Sequence, residues 1–285
     1  MRLESQSRAV WEAYPEGWLD PIELFTDLGG PEGAVLVLAV LYWLVDRERA
    51  ARVAVYVIAG GAFLLALKFG LELPRPDEAL ETGDDPYGFP SGHAFNAVVL
   101  YGGLLYVFEK LDDWRYLLGT VFLIVSISLT RIFLRVHYFG DLIVGALLGI
   151  AVIMFLEHFV DDLRLGFGLG VVGAALAVGM SGFHEYTIAI FGISVGAFVA
   201  SFLMDAVPPL QSRAEGGILV VLGLAYIIVF TLISDALVAD ASGVVDNLLV
   251  IGSHALIVIG VFLIPLAVRP IERQRQALMQ ADQSV

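Results

Sequence analysis

The chain has 285 residues, 58% of them hydrophobic and 16% charged, with a mean hydropathy of +0.82. Long apolar runs at that composition indicate a polytopic membrane protein, and the lack of any cysteine excludes disulfides, thiol catalysis and zinc–cysteine centres. Thirty acidic residues against 16 basic ones, a net charge of -14, argue against a nucleic-acid partner, which needs basic patches.

Only two of the basic residues are lysines, Lys68 and Lys110. This acid-rich, lysine-poor balance resembles that of proteins from extreme halophiles. Against so little lysine, its presence at position 68 stands out.

Residues 1–20 lack the apolar core of a cleavable signal peptide, so the first span is expected to start insertion itself. Trp11, Tyr14, Trp18 and Phe25 alternate over residues 1–30 with acids, prolines and the Gly29-Gly30 pair. Either an amphipathic segment at the membrane interface or a surface-packed arm fits this pattern.

Apolar runs then follow at about 31–45, 52–71, 93–109, 115–134, 139–158, 164–181, 186–204, 216–237 and 246–268. A helix needs roughly 20 residues to cross a bilayer. The expected fold is therefore an all-α bundle of about nine transmembrane helices, with the short first and third runs extending into their flanks. The stretch from 115 to 158 must turn, and Arg135, His137 and Gly140 mark the place.

Cytoplasmic loops accumulate arginine and lysine. Arg47, Arg49, Arg52, Lys110, Arg115, Arg164, Arg213, Arg269, Arg273 and Arg275 all fall on one side if the N-terminus is outside and the C-terminus inside. The other side keeps Arg2, Arg8, Lys68, Arg75, Arg131 and Arg135. That orientation puts three polar clusters together on the extracytoplasmic side, though none of them was needed to choose it.

The clusters are Lys68 with Arg75-Pro76, then Pro90-Ser91-Gly92-His93, then Thr130-Arg131 with His137 and Asp141. Phosphoryl transfer depends mainly on positioning and on neutralising the non-bridging oxygens. A lone cation in a span costs a few kcal/mol, so Lys68 either snorkels to the headgroups or serves a partner or function. Ser91 can cap a helix whose free N–H groups suit an anion, and Gly92 allows a close approach. His93 can act as general acid. Arg131 can hold phosphate oxygens bidentately. If the fifth span begins near 137, His137 and Asp141 share one helix face. A carboxylate on one imidazole nitrogen would then leave the other as nucleophile or base.

Together these clusters resemble the three signature motifs of the type 2 phosphatidic acid phosphatase superfamily. That superfamily includes lipid phosphate phosphatases, undecaprenyl diphosphate phosphatases, glucose-6-phosphatases and vanadium haloperoxidases. The resemblance covers residues 68 to 141 in detail and a five-span core loosely. It implies that Lys68, Arg75 and Arg131 bind phosphate, with Ser91 and the Gly92 backbone. His137 would attack phosphorus to give a phosphohistidine, Asp141 would orient it, and His93 would protonate the leaving group. No metal or other cofactor is implied. Thr130 stands where the family usually has serine, which keeps the hydroxyl.

The domain division that follows is an N-terminal interfacial segment at 1–30, a five-span phosphatase core at 31–160, a four-span extension at 161–268 and a cytoplasmic tail at 269–285. The expected activity is hydrolysis of a lipid or isoprenoid phosphate or diphosphate at the outer face of the plasma membrane. A sugar-phosphate phosphatase, a lipid phosphotransferase, and a transporter or sensor without catalysis are the alternatives.

Other patterns are read as packing. Gly168-Leu169-Gly170-Val171-Val172-Gly173 imitates a dinucleotide fingerprint without a preceding strand, and Gly192-Ile193-Ser194-Val195-Gly196 imitates a nucleophile elbow in mid-span. His158 and His254 are expected to be structural. His184, Glu185 and Asp235 are candidates to line a substrate pocket. Glu72, Asp77, Glu78, Glu81, Asp84 and Asp85 are read as a solvated, salt-adapted lid.

Overall fold

Aspartate caps open three of the helices. In a computed structural model, which describes residues 2–13, 25–77, 79–80, 86–205, 207, 209–238 and 243–282 with side chains through Val268, the Asp46 carboxylate accepts from the Arg49 N–H at 3.0 Å. Asp113 does the same for Arg115, and Asp162 for Arg164 and Leu165. Each satisfies donors that a first helical turn leaves open.

The helices are α1 (Glu4–Ala13), α2 (Pro31–Leu44), α3 (Arg47–Leu71), α4 (Gly92–Val107), α5 (Trp114–Phe133), α6 (Phe139–Phe159), α7 (Leu163–Ser181), α8 (Glu185–Met204), α9 (Arg213–Val238) and α10 (Val244–Asp282). A π-turn over Val98–Gly102 interrupts α4. The described residues contain no strand, only an isolated antiparallel bridge between Pro74 and Tyr87.

Each expected apolar run forms a helix, but seven of the described helices are long and apolar enough to cross a membrane. The two that fall short are α2 and α4. They were expected to lengthen into their flanks, and local structure prevents it. Pro31 opens α2 and the Asp46 cap of α3 follows its end at once. Ser91 caps α4 at one end, and Glu109, at φ 57°, turns the chain just after the other.

The centre of the bundle is α3, which is largely buried, whereas α9 is mostly exposed. The fingerprint-like glycines of α7 lie against it. A Cβ on Gly170 or Gly173 would stand 3.4 Å from Ile58 or 3.3 Å from Ala62. The elbow-like glycines of α8 lie against α10, where a Cβ on Gly192 or Gly196 would stand 2.5 Å from the Ile251 or Ala255 carbonyl oxygen. Both patterns are close helix packing, as read from the sequence.

Polar ties fasten α2 and α9 to this frame. The Trp43 Nε1–H donates to the Val261 carbonyl at 2.9 Å and the Tyr42 hydroxyl to the Phe262 carbonyl at 3.0 Å. Arg47 and Glu215 form a buried ion pair at 2.9 Å between the starts of α3 and α9. On the outer faces, large apolar side chains such as Phe122, Met154 and Val221 stand exposed, as lipid contact requires.

The N-terminal helix packs against the bundle through one face. Ser7 and Trp11 of α1 are buried, Trp11 stacks on Tyr138, and the Ser7 hydroxyl accepts from the Phe139 N–H at 3.0 Å. It docks on the start of α6. Tyr14 and Trp18 lie outside the described residues.

Candidate active site

Antiparallel packing of α3 to α6 brings the three polar clusters to one end of the bundle. Lys68 occupies the last turn of α3, Ser91 and His93 the start of α4, Arg131 the last turn of α5, and Asp141 the first turn of α6. Arg75 lies on the loop between α3 and α4. Lys68, Ser91, Arg131, His137 and Asp141 are buried, while Arg75, Gly92 and His93 are half-buried.

Glycines allow this convergence. On α6, a Cβ at Gly145 would come 2.5 Å from the Ser91 carbonyl oxygen, and one at Gly149 would come 3.0 Å from Val98. The missing side chains let α4 lie directly on α6. The Ser91 N–H then donates to the Asp141 carbonyl at 3.0 Å, joining the second cluster to the third. The Ser91 hydroxyl accepts from the Ala94 N–H, the cap read from the sequence.

His137 sits outside the helix. After Phe133 the chain passes through Arg135 at φ 59°, and α6 begins only at Phe139. The face-sharing expected of residues 137 and 141 therefore does not arise. His137 Nδ1 lies 2.6 Å from the Gly88 carbonyl oxygen and 3.7 Å from Asp141 Oδ2. A carbonyl can only accept, so Nδ1 carries the proton and Nε2 keeps its lone pair. Burial pushes the pKa of His137 down to about 4; Asp141 pulls it upward, and the charges of Lys68, Arg75 and Arg131 push it down again. At neutral pH the imidazole is uncharged. The same three cations and His137 act electrostatically on His93, so the five groups form one cluster.

Asp141 serves the backbone and a residue far away in sequence. Its Oδ2 accepts from the Tyr138 N–H at 2.9 Å, capping α6. Both carboxylate oxygens accept from Arg2, Oδ1 from Nε and Oδ2 from Nη2, each at 2.7 Å. Neither Gly88 nor Arg2 was among the predicted site residues. Gly88 sits three residues before Ser91, where a glycine is a weak signal; Arg2 carries none.

A second N-terminal piece covers the other flank. Thr130 donates to the Ile127 carbonyl at 2.7 Å and accepts from the Thr26 hydroxyl at 2.8 Å. The Tyr101 hydroxyl donates to the Leu28 carbonyl. Gly29 and Gly30 lie over His93, within 3.4 Å and 3.9 Å of the ring for a Cβ at either position.

The remaining candidates are placed as follows. His184 Nδ1 accepts from the Tyr186 N–H at the start of α8, and its ring packs on Phe69, next to Lys68. Asp235 is exposed on α9. His158 packs on Phe159, and His254 Nδ1 lies 2.8 Å from the Val250 carbonyl oxygen. Glu72, which ends α3 at φ 51°, and Asp77 are exposed. Glu78, Glu81, Asp84 and Asp85 lie outside the described residues.

Residues 49–165, which contain all eight predicted site residues, match the family model of the PAP2 superfamily. The chain is 30% identical over 159 residues to a dihydrosphingosine 1-phosphate phosphatase of Schizosaccharomyces pombe, covering 50% of this chain and 39% of that protein. It is 28% identical over 105 residues to phosphatidylglycerophosphatase B of Bacillus subtilis, covering 34% of this chain and 51% of that protein. The chain thus spans about half or less of the length of these curated relatives. No solved structure matches it.

Proposed function

Because residues 49–165 match the family model of the PAP2 superfamily, we propose that the chain is a multi-pass membrane phosphatase of that superfamily, which hydrolyses a lipid or polyprenyl phosphate or diphosphate through a phosphohistidine. One observation carries the mechanism. His137 is buried and uncharged, with Nδ1 committed to the Gly88 carbonyl and Nε2 left as the electron pair beside Lys68, Arg75 and Arg131.

The three cations and the start of α4 hold the phosphoryl oxygens. Nε2 attacks phosphorus, an N–P bond forms, and the P–O bond to the leaving group breaks. His93 delivers its proton to the leaving oxygen. It then takes a proton from water as the water oxygen bonds to phosphorus and the N–P bond breaks, which releases phosphate and restores both histidines.

The substrate class rests on the relatives, whose names specify a dihydrosphingosine 1-phosphate and a phosphatidylglycerophosphate, and on a site at the end of an apolar bundle. A tailed substrate would enter sideways from the lipid, headgroup first to the cations. The ten arginines and lysines gathered in the opposite loops and the tail support an extracytoplasmic site.

The test is phosphate release by the purified protein from lipid phosphates, polyprenyl diphosphates and sugar phosphates, at high and low salt and with chelator present. Lipid substrates should be preferred, vanadate should inhibit, and His137→Ala should abolish release. Full activity in that variant would overturn the mechanism. Preference for a sugar phosphate would overturn the substrate class.

A further inference from the structure

The second residue of the chain is built into the catalytic centre. Besides its two bonds to Asp141, the Arg2 guanidinium donates from Nη1 to the Pro74 carbonyl at 2.8 Å. It lies 4.7 Å over the Tyr138 ring. The Arg2 backbone carbonyl accepts from the Gly140 N–H at 2.9 Å. One residue thus touches the loop that carries Arg75 and both sides of the turn into α6. The Arg2 side chain is 15% exposed and that of Asp141 is fully buried.

Two glycines are shaped around it. A Cβ at Gly140 would stand 2.8 Å from the Arg2 Cα, and one at Gly88 would stand 2.8 Å from Arg2 Nη2. A surface arm meeting the bundle by chance would need neither.

We propose that Arg2 is a positioning residue: by taking both oxygens of Asp141 it leaves His137 Nδ1 to the Gly88 carbonyl. The inference rests on the phosphatase reading and names a residue outside the matched segment. Its physical content is a competition. Asp141 Oδ2 is only 3.7 Å from Nδ1, and a buried carboxylate without its cation must find another donor. Without Arg2 the carboxylate turns to the imidazole, draws it away from Gly88, misdirects the Nε2 lone pair and shifts the ring's titration upward.

The groups facing His137 are Lys68 from α3, Arg75 from the following loop, His93 from α4, Arg131 from α5 and Asp141 from α6. Lys68, Arg75 and Arg131 oppose a positive charge on the ring, and Asp141 favours it. Baring Asp141 therefore moves His137 upward from about 4, by about one pH unit or more for a close opposite charge.

The experiment compares wild type, Arg2→Gln, Arg2→Lys and Gly140→Ala, full length and in detergent. It records kcat, KM and the pH midpoint of His137 from its ¹⁵N resonances. Arg2→Gln should lower kcat about tenfold to a hundredfold, as loss of an outer orienting partner does, with KM little changed and the midpoint raised. Arg2→Lys keeps the charge without the fork, so its midpoint should stay and its kcat fall less. Gly140→Ala, which displaces the Arg2 backbone, should behave like Arg2→Gln. An unmoved midpoint in Arg2→Gln and Gly140→Ala overturns the proposal even if kcat falls. A wild type that releases no phosphate overturns the phosphatase reading instead, and the midpoints still test Arg2.

Discussion

The Gly88 carbonyl oxygen lies 2.6 Å from Nδ1 of His137, more than an ångström nearer than the Asp141 carboxylate at 3.7 Å. A backbone carbonyl has no proton to give, so this bond fixes the tautomer without placing a full negative charge on the ring. The resting imidazole is thereby uncharged with Nε2 unprotonated, as the proposed nucleophile must be. The carboxylate expected to orient it is occupied by Arg2 and Tyr138.

Gly88 should accordingly tolerate no side chain. A Cβ there would meet the Arg75 Cα and the Pro74 carbonyl oxygen at 3.0 Å, besides Arg2 Nη2. Two of these contacts are backbone and cannot swing aside. Gly88→Ala should move the loop that orients His137 and carries Arg75, lowering kcat/KM about a hundredfold, since misplacement by about 1 Å has that effect. Steady-state phosphate release measures it. Wild-type kcat/KM would show that the Gly88 carbonyl does not orient the nucleophile.

Acid should destabilise the protein through His137. Its folded pKa is pushed down to about 4 by burial, while an unfolded histidine titrates near 6.5. Between those values the unfolded chain binds the extra proton, so the contribution is complete above about 6.5 and is lost as pH falls toward 4. The size is a few kcal/mol. Thermal inactivation at pH 7 and pH 4.5 should differ more for wild type than for His137→Phe. Equal pH dependence in the two would show that His137 does not carry the effect.

What the sequence made legible follows from what is local. Hydropathy located the helices to within about five residues, except that α10 runs on to Asp282 beyond its expected end at 268, and alternation of antiparallel spans sufficed to bring Lys68, His93, Arg131 and His137 to one end. The mid-span glycines of α7 and α8 were readable as packing because no strand precedes them. Arg2 and Gly88 were not legible. Arg2 bonds to Asp141 across 139 positions and Gly88 to His137 across 49, and no periodicity records which loops a bundle will press together. Spacing alone also misled at Asp141. Four residues from His137 suggests one helix face, yet α6 starts at Phe139 and uses Asp141 to cap itself.

Gly145 should be the costliest small residue of the matched segment to enlarge. A Cβ there would stand 2.5 Å from the Ser91 carbonyl oxygen and 3.4 Å from the Phe95 nitrogen, both backbone. Gly145→Ala must part α4 from α6, at about 1–3 kcal/mol for overpacking, and carries Ser91 and His93 away from His137. Both thermal stability and kcat should fall. Gly119→Ala on α5, with nothing within 4 Å of the new Cβ, should be neutral or stabilise by about 0.4–1 kcal/mol. Equal behaviour of the two variants would show that α4 and α6 do not depend on this close approach.

The Arg47–Glu215 pair should separate stability from chemistry. It lies at the far end of α3, 21 residues before Lys68, or about 30 Å along a helix. Both side chains are buried, and Glu215 Oε2 also accepts from the Gln211 N–H at 2.7 Å. Removing one charge leaves the other buried and uncompensated, which costs about 3–5 kcal/mol. Glu215→Ala should therefore lower the midpoint of thermal inactivation while kcat and KM of the surviving protein stay at wild-type values. Replacing the pair together, as Arg47→Met with Glu215→Leu, should recover most of the loss, because an apolar pair of similar volume does not pay desolvation. A double variant no more stable than Glu215→Ala would mean that the ion pair itself, and not its burial, fastens α9 to α3.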